Sequence, residues 1–530
     1  MRCLLILLFS LLATSALQCQ IITFNKEVNF ATFSGLTTDA VLVDSAIFLL
    51  SSQVDTAIVV DSLGNEIQIL FGGNTITSVD QEGNVLALYK NLIDSLDLNA
   101  FCKEAKIIDN KIISVGYGNS PSSGFGFILF WDVETKLFSM KKFYKPLIDF
   151  SSLLFPNGFH PTSQGNFIVT TTAIHNENFA NDIGIVILDS LGNELNHKVF
   201  LRPDNQTSLV IQPRYDDQNS FLVGGFWDES TPPSQPKDFR MLIYEVDTAG
   251  NLIDEWISTG DTLYGGIDDF YQLSDGSLIV AGTRRSSERA DEVNVWIPTG
   301  VLLKLSPERE VVWEVEVGEP LTQGDYMEKV VPAIDGGGYI GAGHDTEYNY
   351  NNQGTVTYGI LVKVSETGER LWRRRFHYLE PGYDRHAFYD LDITPDGGYL
   401  MTGQVRYNSQ FRPDSLPRQR GYIVKTDEFG CVVPDCQLTN TNVPIDPEPF
   451  DLKLYPNPAS DQLSIFLRTN TARPHRGTLF DARGRSIKQF SGAVPEVTYF
   501  MDVGNLAAGV YFLRVELDGR VRTEQVVITR

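Results

Sequence analysis

The stretch that decides the fold is Asp335–His344, DGGGYIGAGH, too rich in glycine for a helix and too apolar for a plain loop. Near-copies stand on either side of it, DGSLIVAGT from Asp275 and DGGYLMTGQ from Asp396. Aligning on the apolar run adds AIFLLSS from Ala46, KIISVGY from Lys111, NFIVTTT from Asn166 and SFLVGGF from Ser220, which makes seven copies about 54 to 65 residues apart. A second landmark follows each copy, at Asp61, Asp132, Asp189, Asp247, Ser306, Ser365 and Asp427, and mostly opens a D-x-x-G turn. Short strands at this period, bounded by Gly and Asp turns, predict an all-β chain built as a seven-bladed β-propeller. In that reading Asp335–Gly338 turns one strand into the next, where glycine supplies the positive φ, and Tyr339–Gly343 is the second strand of a blade.

Further features place the remaining strands. Trp256, Trp313 and Trp372 fall in the outer strand of successive copies, where a large ring can wedge between adjacent sheets. The last copy ends at GCVVPDCQ without a fourth strand, while KEVNFATFSG precedes the first, so the N-terminal strand is expected to complete the last blade and close the ring. Two D-x-x-G turns at Asp61 and Asp80, only 19 residues apart, predict extra strands in the first blade or an eighth blade there. The propeller is expected over 21–437. Its D-G-G-Y, D-x-x-G and Trp pattern resembles the repeats of secreted bacterial propellers, a likeness that speaks to fold and not to activity.

The 530 residues carry a formal charge of -24, which argues against nucleic-acid binding, since phosphate contacts need clustered Lys and Arg. Residues 1–20 read as a secretory signal peptide: Arg2, an apolar run from Leu4 to Leu12, then small residues. No later run is long enough for a transmembrane helix. Cys431 and Cys436, close together in an exported chain, predict a disulfide, with Cys102 left as a buried thiol. No metal site or cofactor is expected, because no His or further Cys stands at ligand spacing and no nucleotide-binding or zinc motif occurs.

A proline-bearing polar linker at 438–450 leads to a region of different texture, 451–530, whose alternating apolar residues and Gly or Pro turns predict a small Ig-like β-sandwich. It holds Tyr455, Pro456, Asn457, Pro458 and Asp461 in YPNPASD, Gly484 after a DARG turn, and Leu506, Gly509 and Tyr511 in NLAAGVYFL. These residues resemble the type A C-terminal sorting domain of the type IX secretion system. The resemblance implies recognition by that secretion machinery, passage through the outer membrane, and a passenger that is secreted or held on the cell surface. The tail carries 11 Lys and Arg against 8 Asp and Glu, opposite in sign to the rest of the chain.

Activity is less legible. No H-E-x-x-H, Walker A or G-x-S-x-G motif occurs. In a propeller the D-G-G-Y and D-x-x-G turns share one face, so the long connections share the other, presenting Trp227, Arg284, Arg285, Trp296, Tyr348, Tyr350, Arg406 and Tyr407 as candidate contacts for a glycan or protein ligand. Asp268, Asp269, Asp325, Asp384 and His386 stand where first strands begin and are the candidate catalytic groups. The expected function is a secreted or surface binding or adhesion module. The competing reading is a glycan-acting hydrolase or lyase using channel-mouth carboxylates.

Overall fold

The computed structural model describes residues 23–529 apart from 29–33, 44–45, 61–65, 92–99, 120–123, 144–152, 175–180, 203, 229–238, 260–264, 287–296, 319–321, 350–353, 379–383, 408–418, 434–435, 437–449, 470–473, 482–484, 494–495 and 518–519. The proposed signal peptide and nearly all of the linker therefore lie outside the described residues. The chain divides into two compact units, Met1–Gln437 and Leu438–Arg530.

The first unit is built of antiparallel sheets whose strands follow chain order. Five are four-stranded, spanning Ser34–Asn91, Ala100–Phe143, Leu153–Phe200, Asn205–Ile257 and Gly265–Glu316. The remainder is an eight-stranded sheet in which two four-strand groups, Thr322–Phe376 and Asp384–Thr426 plus Phe24–Val28, meet at the single parallel bridge Thr357–Arg385. The first strands of successive groups pack against one another, and the last, Asp384–Ile393, returns to the first, Ser34–Val43, so they form a closed ring. That arrangement is a β-propeller. Its apolar core sits between neighbouring sheets: Ile279, Ala281 and Leu302 of one group, for instance, pack with Met327, Ile360 and Val362 of the next.

The N-terminal strand Phe24–Val28 pairs antiparallel with Gln419–Thr426 from Phe24–Lys425 to Val28–Gly421. Glu27 accepts from Arg420 across this seam, and Thr23 donates its hydroxyl to the Val432 carbonyl. Cys431 and Cys436 are disulfide-bonded with Cα atoms 5.6 Å apart, so the chain is stapled immediately after its last propeller strand. Cys102 is buried, and burial pushes its thiol up to about 12.

The extra D-x-x-G turn is resolved by length rather than by added strands. Ala46–Val60 and Glu66–Val79 pair without interruption from Ile47–Val79 to Val60–Glu66 as one long hairpin, and Asp61 itself lies outside the described residues. The turn equivalent to the other landmarks is Asp80–Gly83, closed by the Gly83 amide donating to the Asp80 carbonyl. Its positive-φ position recurs at Gly192, Gly250, Gly368 and Gly430, each lying against the preceding sheet: Gly368 on Trp313, Gly430 on Trp372, and Gly83 on Phe24 of the closing strand.

The opening stretch now has its geometry. Gly336 takes φ of 71° and donates its amide to the Ala333 carbonyl, while the Asp335 carboxylate accepts from the Gly337 amide at 3.0 Å and from Lys363 Nζ at 2.6 Å. Gly343 is required for another reason. A Cβ there would stand 1.9 Å from the Tyr326 carbonyl oxygen of the adjacent first strand, and Gly225, Gly282 and Gly403 face the same collision in their own sheets.

The second unit packs a three-stranded sheet, Phe450–Tyr455, Gln462–Thr469 and Glu496–Asp502, with a four-stranded one, His475–Asp481, Ser486–Gly492, Gly509–Leu517 and Arg520–Ile528. Leu463, Ile465, Leu479, Leu513, Val515 and Val526 form its dry interior.

Candidate functional site

The collision at Gly343 marks a bulge. In each first strand one residue is extra to the pairing register: Thr38, Lys103, Asn157, Leu209, Asp268, Glu328 and Tyr389 lie between paired positions 37/39, 102/104, 156/158, 208/210, 267/269, 327/329 and 388/390. A bulge redirects side chains and sharpens the local bend. Here all of these extra residues line one central cavity of about 440 Å³, joined by Asp39, Cys102, Glu104, Tyr117, Val210 and Lys329. That volume lies within the range of small-molecule sites.

In four of the strands the residue after the bulge does different work. Asp39 accepts the Ala105 amide at 2.6 Å, Glu104 the Phe159 amide at 2.9 Å, Asp269 the Val330 amide at 3.1 Å and Asp390 the Ala40 amide at 3.0 Å. Each acceptor belongs to one group and each amide to the next, so these carboxylates clasp the ring around the cavity. Asp39, Asp269 and Asp390 are buried. Burial, reinforced by Asp390, holds Asp39 well above the usual carboxylate range, and burial also raises Asp269. Lys329 is their common counter-charge: burial works against its charge, but Asp269, Asp390, Glu104 and Asp39 together drive its pKa up. Glu104 is pulled below its ordinary value in spite of burial, by Lys106 and then Lys329.

Two carboxylates are not spent on the clasp. Burial and the neighbouring Glu328 push Asp268 well above its ordinary value; among the described residues its one hydrogen bond is from Thr283 Oγ1 at 3.3 Å. Burial lifts Glu328 to about 7, with Lys103 and Lys329 working in the opposite direction. Its side chain remains 26 % exposed to the cavity, 3.8 Å from His344 Nδ1. The His344 imidazole is stacked on Tyr326 and kept neutral by burial, down to about 4. Lys103 stands on a strand remote in ring order from the two acids. Tyr389 takes a hydrogen bond from Gln404, and burial raises its phenol.

Of the candidate catalytic groups named from sequence, only Asp268 is placed among the cavity-lining residues. Asp269 points to the clasp. Asp325 is buried in its strand. His386 is buried, with Nε2 accepting the Tyr378 amide at 2.9 Å and Nδ1 facing the Thr357 carbonyl at 3.2 Å, an environment that holds it neutral with its pKa down at about 4. Asp384 begins its strand, and its side chain lies outside the described residues. Among the long-connection candidates, Trp227 is half-buried under the Arg240 guanidinium at 5.3 Å, and Arg284 pairs with Glu314 and Glu316 of its own sheet. Arg406 is exposed at the end of its strand. Arg285, Tyr348 and Tyr407 are strand residues whose side chains lie outside the described residues, as Trp296 and Tyr350 do entirely.

Sequence reasoning missed Lys103, Glu328, Lys329 and Tyr389. A signal existed: Asn157, Asp268, Glu328 and Tyr389 each stand eight residues before the turn glycines Gly165, Gly276, Gly336 and Gly397. A fixed offset in a repeat is a fixed place in the ring. Among the described residues no group of three or more His, Cys, Asp or Glu is arranged to hold a metal ion, and no helix is long and apolar enough to cross a membrane.

In the second unit the YPNP segment ties the first strand to the last. Asn457 donates to the Gln525 carbonyl and accepts the Val527 amide, both at 2.8 Å, and the Ala459 amide donates to the Val527 carbonyl at 2.8 Å. The Asp461 carbonyl accepts from Val503 and Gly504. Tyr511 donates its hydroxyl to the Ala507 carbonyl at 2.9 Å, and Leu506 packs on the core. Tyr455 is left 50 % exposed, with Pro456 and Pro458 on the surface beside it. Gly509 opens the strand Gly509–Leu517, and Gly484 lies outside the described residues.

No curated protein matches the chain. Among solved structures, an ulvan lyase of polysaccharide lyase family 25 aligns with 10% identity and a TM-score of 0.47 over 76% of this chain and 96% of that one. The β-propeller domain of the trilobed protease from Pyrococcus furiosus aligns with 11% identity and a TM-score of 0.37 over 77% and 97%. An endo-arabinase from Bacteroides thetaiotaomicron aligns with 9% identity and a TM-score of 0.28 over 55% and 95%. Residues 453–529 match the model of the secretion system C-terminal sorting domain. With the strand-tying YPNP segment and the sandwich around it, that match identifies residues 453–529 as a C-terminal sorting domain of the type IX secretion system, carried behind a β-propeller, and such a tail indicates export to the cell surface or beyond.

Proposed function

We propose that the body, residues 21–437, is a seven-bladed propeller closed by the N-terminal strand, and that it acts outside the cell as a non-catalytic binding module with its ligand in the central cavity. In this reading residues 1–20 are a signal peptide removed on export, and 438–450 is the linker joining the passenger to its sorting domain at 451–530. The observation that carries the binding reading is the ring of bulges, which sends a side chain from every first strand into one cavity of small-molecule size. The clasp supports it further, because Asp39, Glu104, Asp269 and Asp390 each spend an oxygen on a backbone amide of the next group, a structural task that holds the cavity wall. Trp227 and Arg284, engaged within their sheets, rank behind the cavity as ligand contacts.

A second reading, a glycan-acting hydrolase or lyase, is favoured by one feature: Asp268 and Glu328 are neighbouring cavity carboxylates, both held toward the protonated form, as a general acid must be. One assay separates the two. The exported protein is screened against arrays of glycans and short peptides, read for retention and for released product. Binding weakened by Glu328→Gln, with every ligand recovered intact, is expected. Turnover by the native protein, abolished in Asp268→Asn, would establish the enzyme instead.

A further inference from the structure

We propose that the cavity is selective for a small zwitterion, a free amino acid or short peptide, with its ammonium held between Asp268 and Glu328 and its carboxylate met by Lys103. This rests on the cavity being a binding site and goes on to specify what it binds.

Following the ring, the bulge positions read Thr38, Lys103, Asn157, Leu209, Asp268, Glu328 and Tyr389. The acids occupy two adjacent positions, and Lys103 stands three steps from Asp268 one way round the ring and three from Glu328 the other, so the bulge residues give the cavity an acidic pole and a basic pole. Between them lie an apolar patch at Leu209 and Val210 and the uncharged polar groups of Asn157, Thr38 and Tyr389. The poles sense each other, since Lys103 eases the ionisation of both Asp268 and Glu328. They nevertheless do not close on each other: among the described residues Lys103 forms no ion pair, and the acids have only the Thr283 and His344 contacts already given.

A cavity wall with a lysine on one side and, on the other, two crowded acids that an approaching cation would ionise fits a ligand that carries both charges. Two crowded carboxylates gain most from an ammonium, which offers three donors and relieves their mutual repulsion. A metal ion is a poorer match, because the described residues give no third ligand. A neutral saccharide can hydrogen-bond both poles but neutralises neither. Lys103 is a point charge on a flexible stem, suited to a carboxylate whose distance from the ammonium varies. Asn157 is held in place by its amide, which donates to the Ser208 carbonyl at 2.7 Å and to Thr172 Oγ1 at 2.9 Å, leaving its carbonyl oxygen as a fixed acceptor on the wall.

The test is calorimetric titration of the full exported chain with trialanine, N-acetyl-trialanine, trialanine amide and maltotriose. Trialanine is expected to bind. Acetylation should weaken it roughly ten- to a hundredfold, the scale of one charge-assisted hydrogen bond in a shielded site. The acetylated probe should then be indifferent to Glu328→Gln, and the amide indifferent to Lys103→Gln, because each substitution removes the partner of a charge the probe no longer has. Since the probes change while the protein stays native, a variant that fails to fold does not spoil the result. Equal binding of trialanine and its acetylated form overturns the proposal. So does maltotriose binding that Glu328→Gln weakens while trialanine does not bind, although the cavity then stands as a binding site. If no probe binds, and array ligands are retained equally by native protein and cavity variants, the cavity reading falls as well.

Discussion

Lys329→Met is the most revealing single change. Lys329 sits one residue beyond the Glu328 bulge and is the counter-charge shared by Asp269, Asp390, Glu104 and Asp39. Three of those carboxylates are buried and fixed by amides of the next sheet, so they cannot swing out to solvent when the ammonium is removed. Lys329 acts on them through the field of its charge and not through a closed ion pair, so its loss costs less than the about 3–5 kcal/mol of breaking a fully enclosed one. Lys329 is only half-buried and opens on the cavity. Screening there reduces the figure to about 2–4 kcal/mol. At about 2 °C per kcal/mol for a large domain, the melting midpoint at pH 8 should drop by roughly 4–8 °C.

The pH dependence identifies the cause. The raised pKa of Lys329 means that its contribution is complete below the unfolded lysine value and is lost only as pH climbs through the folded one, so the native protein keeps it throughout the neutral range. In the variant the orphaned carboxylates are relieved by taking up protons. The deficit should therefore shrink as pH falls from 8 to 5, read by differential scanning fluorimetry of both proteins in parallel. A lost packing contact would give a deficit independent of pH. That outcome, or a midpoint within a degree of native, refutes the shared counter-charge.

Other consequences are open to simpler measurements. Gly343→Ala places a methyl 1.9 Å from the Tyr326 carbonyl and should cost about 1–3 kcal/mol in chemical denaturation, whereas Gly336→Ala, with nothing near its Cβ, should show only the smaller strain of its φ. Reducing the Cys431–Cys436 bond should lower stability by about 2 kcal/mol in the chain-entropy account, and peptide mapping without reductant should recover the two cysteines linked. Glu328, faced by Asp268, Lys103, Lys329, His344 and Tyr389, has its pKa raised to about 7. The folded state then holds a proton the unfolded chain has lost, so stability should decline as pH rises from 4.5 toward 7, a slope that Glu328→Gln should flatten. Deleting 453–529 should leave the passenger inside the cell envelope, and immunoblotting of culture medium and surface fractions reads that directly.

What the sequence made legible was periodic. Turn glycines, D-x-x-G aspartates and outer-strand tryptophans recur because each sheet meets the same neighbour in the same way, and periodic causes leave periodic letters. The long hairpin of Ala46–Val79 escaped because D-x-x-G spells the same in the sequence whether a hairpin is short or long, and only the pairing from Ile47 to Val60 tells them apart. The sorting tail was legible for the opposite reason: Asn457 does a job no strand residue can do, reaching across to Gln525 and Val527, and its neighbours Pro456 and Pro458 make an unmistakable spelling.

The cavity was nearly invisible because its residues obey the repeat in position and not in kind. At the bulge, backbone geometry is what recurs, and Thr38, Lys103, Asn157, Leu209, Asp268, Glu328 and Tyr389 share no chemistry through which an alignment would join them. The letter that does recur is the partner's: Gly225, Gly282, Gly343 and Gly403 are glycine because a bulged carbonyl presses on each. A glycine in the second strand therefore points back to the side chain that its neighbour sends into the cavity. By that rule DGGGYIGAGH, read to its Gly343, already pointed to Glu328. The variation at those positions also has a physical meaning: a ring whose scaffold is held by the clasp of Asp39, Glu104, Asp269 and Asp390 is free to change what its bulges present without changing how it closes.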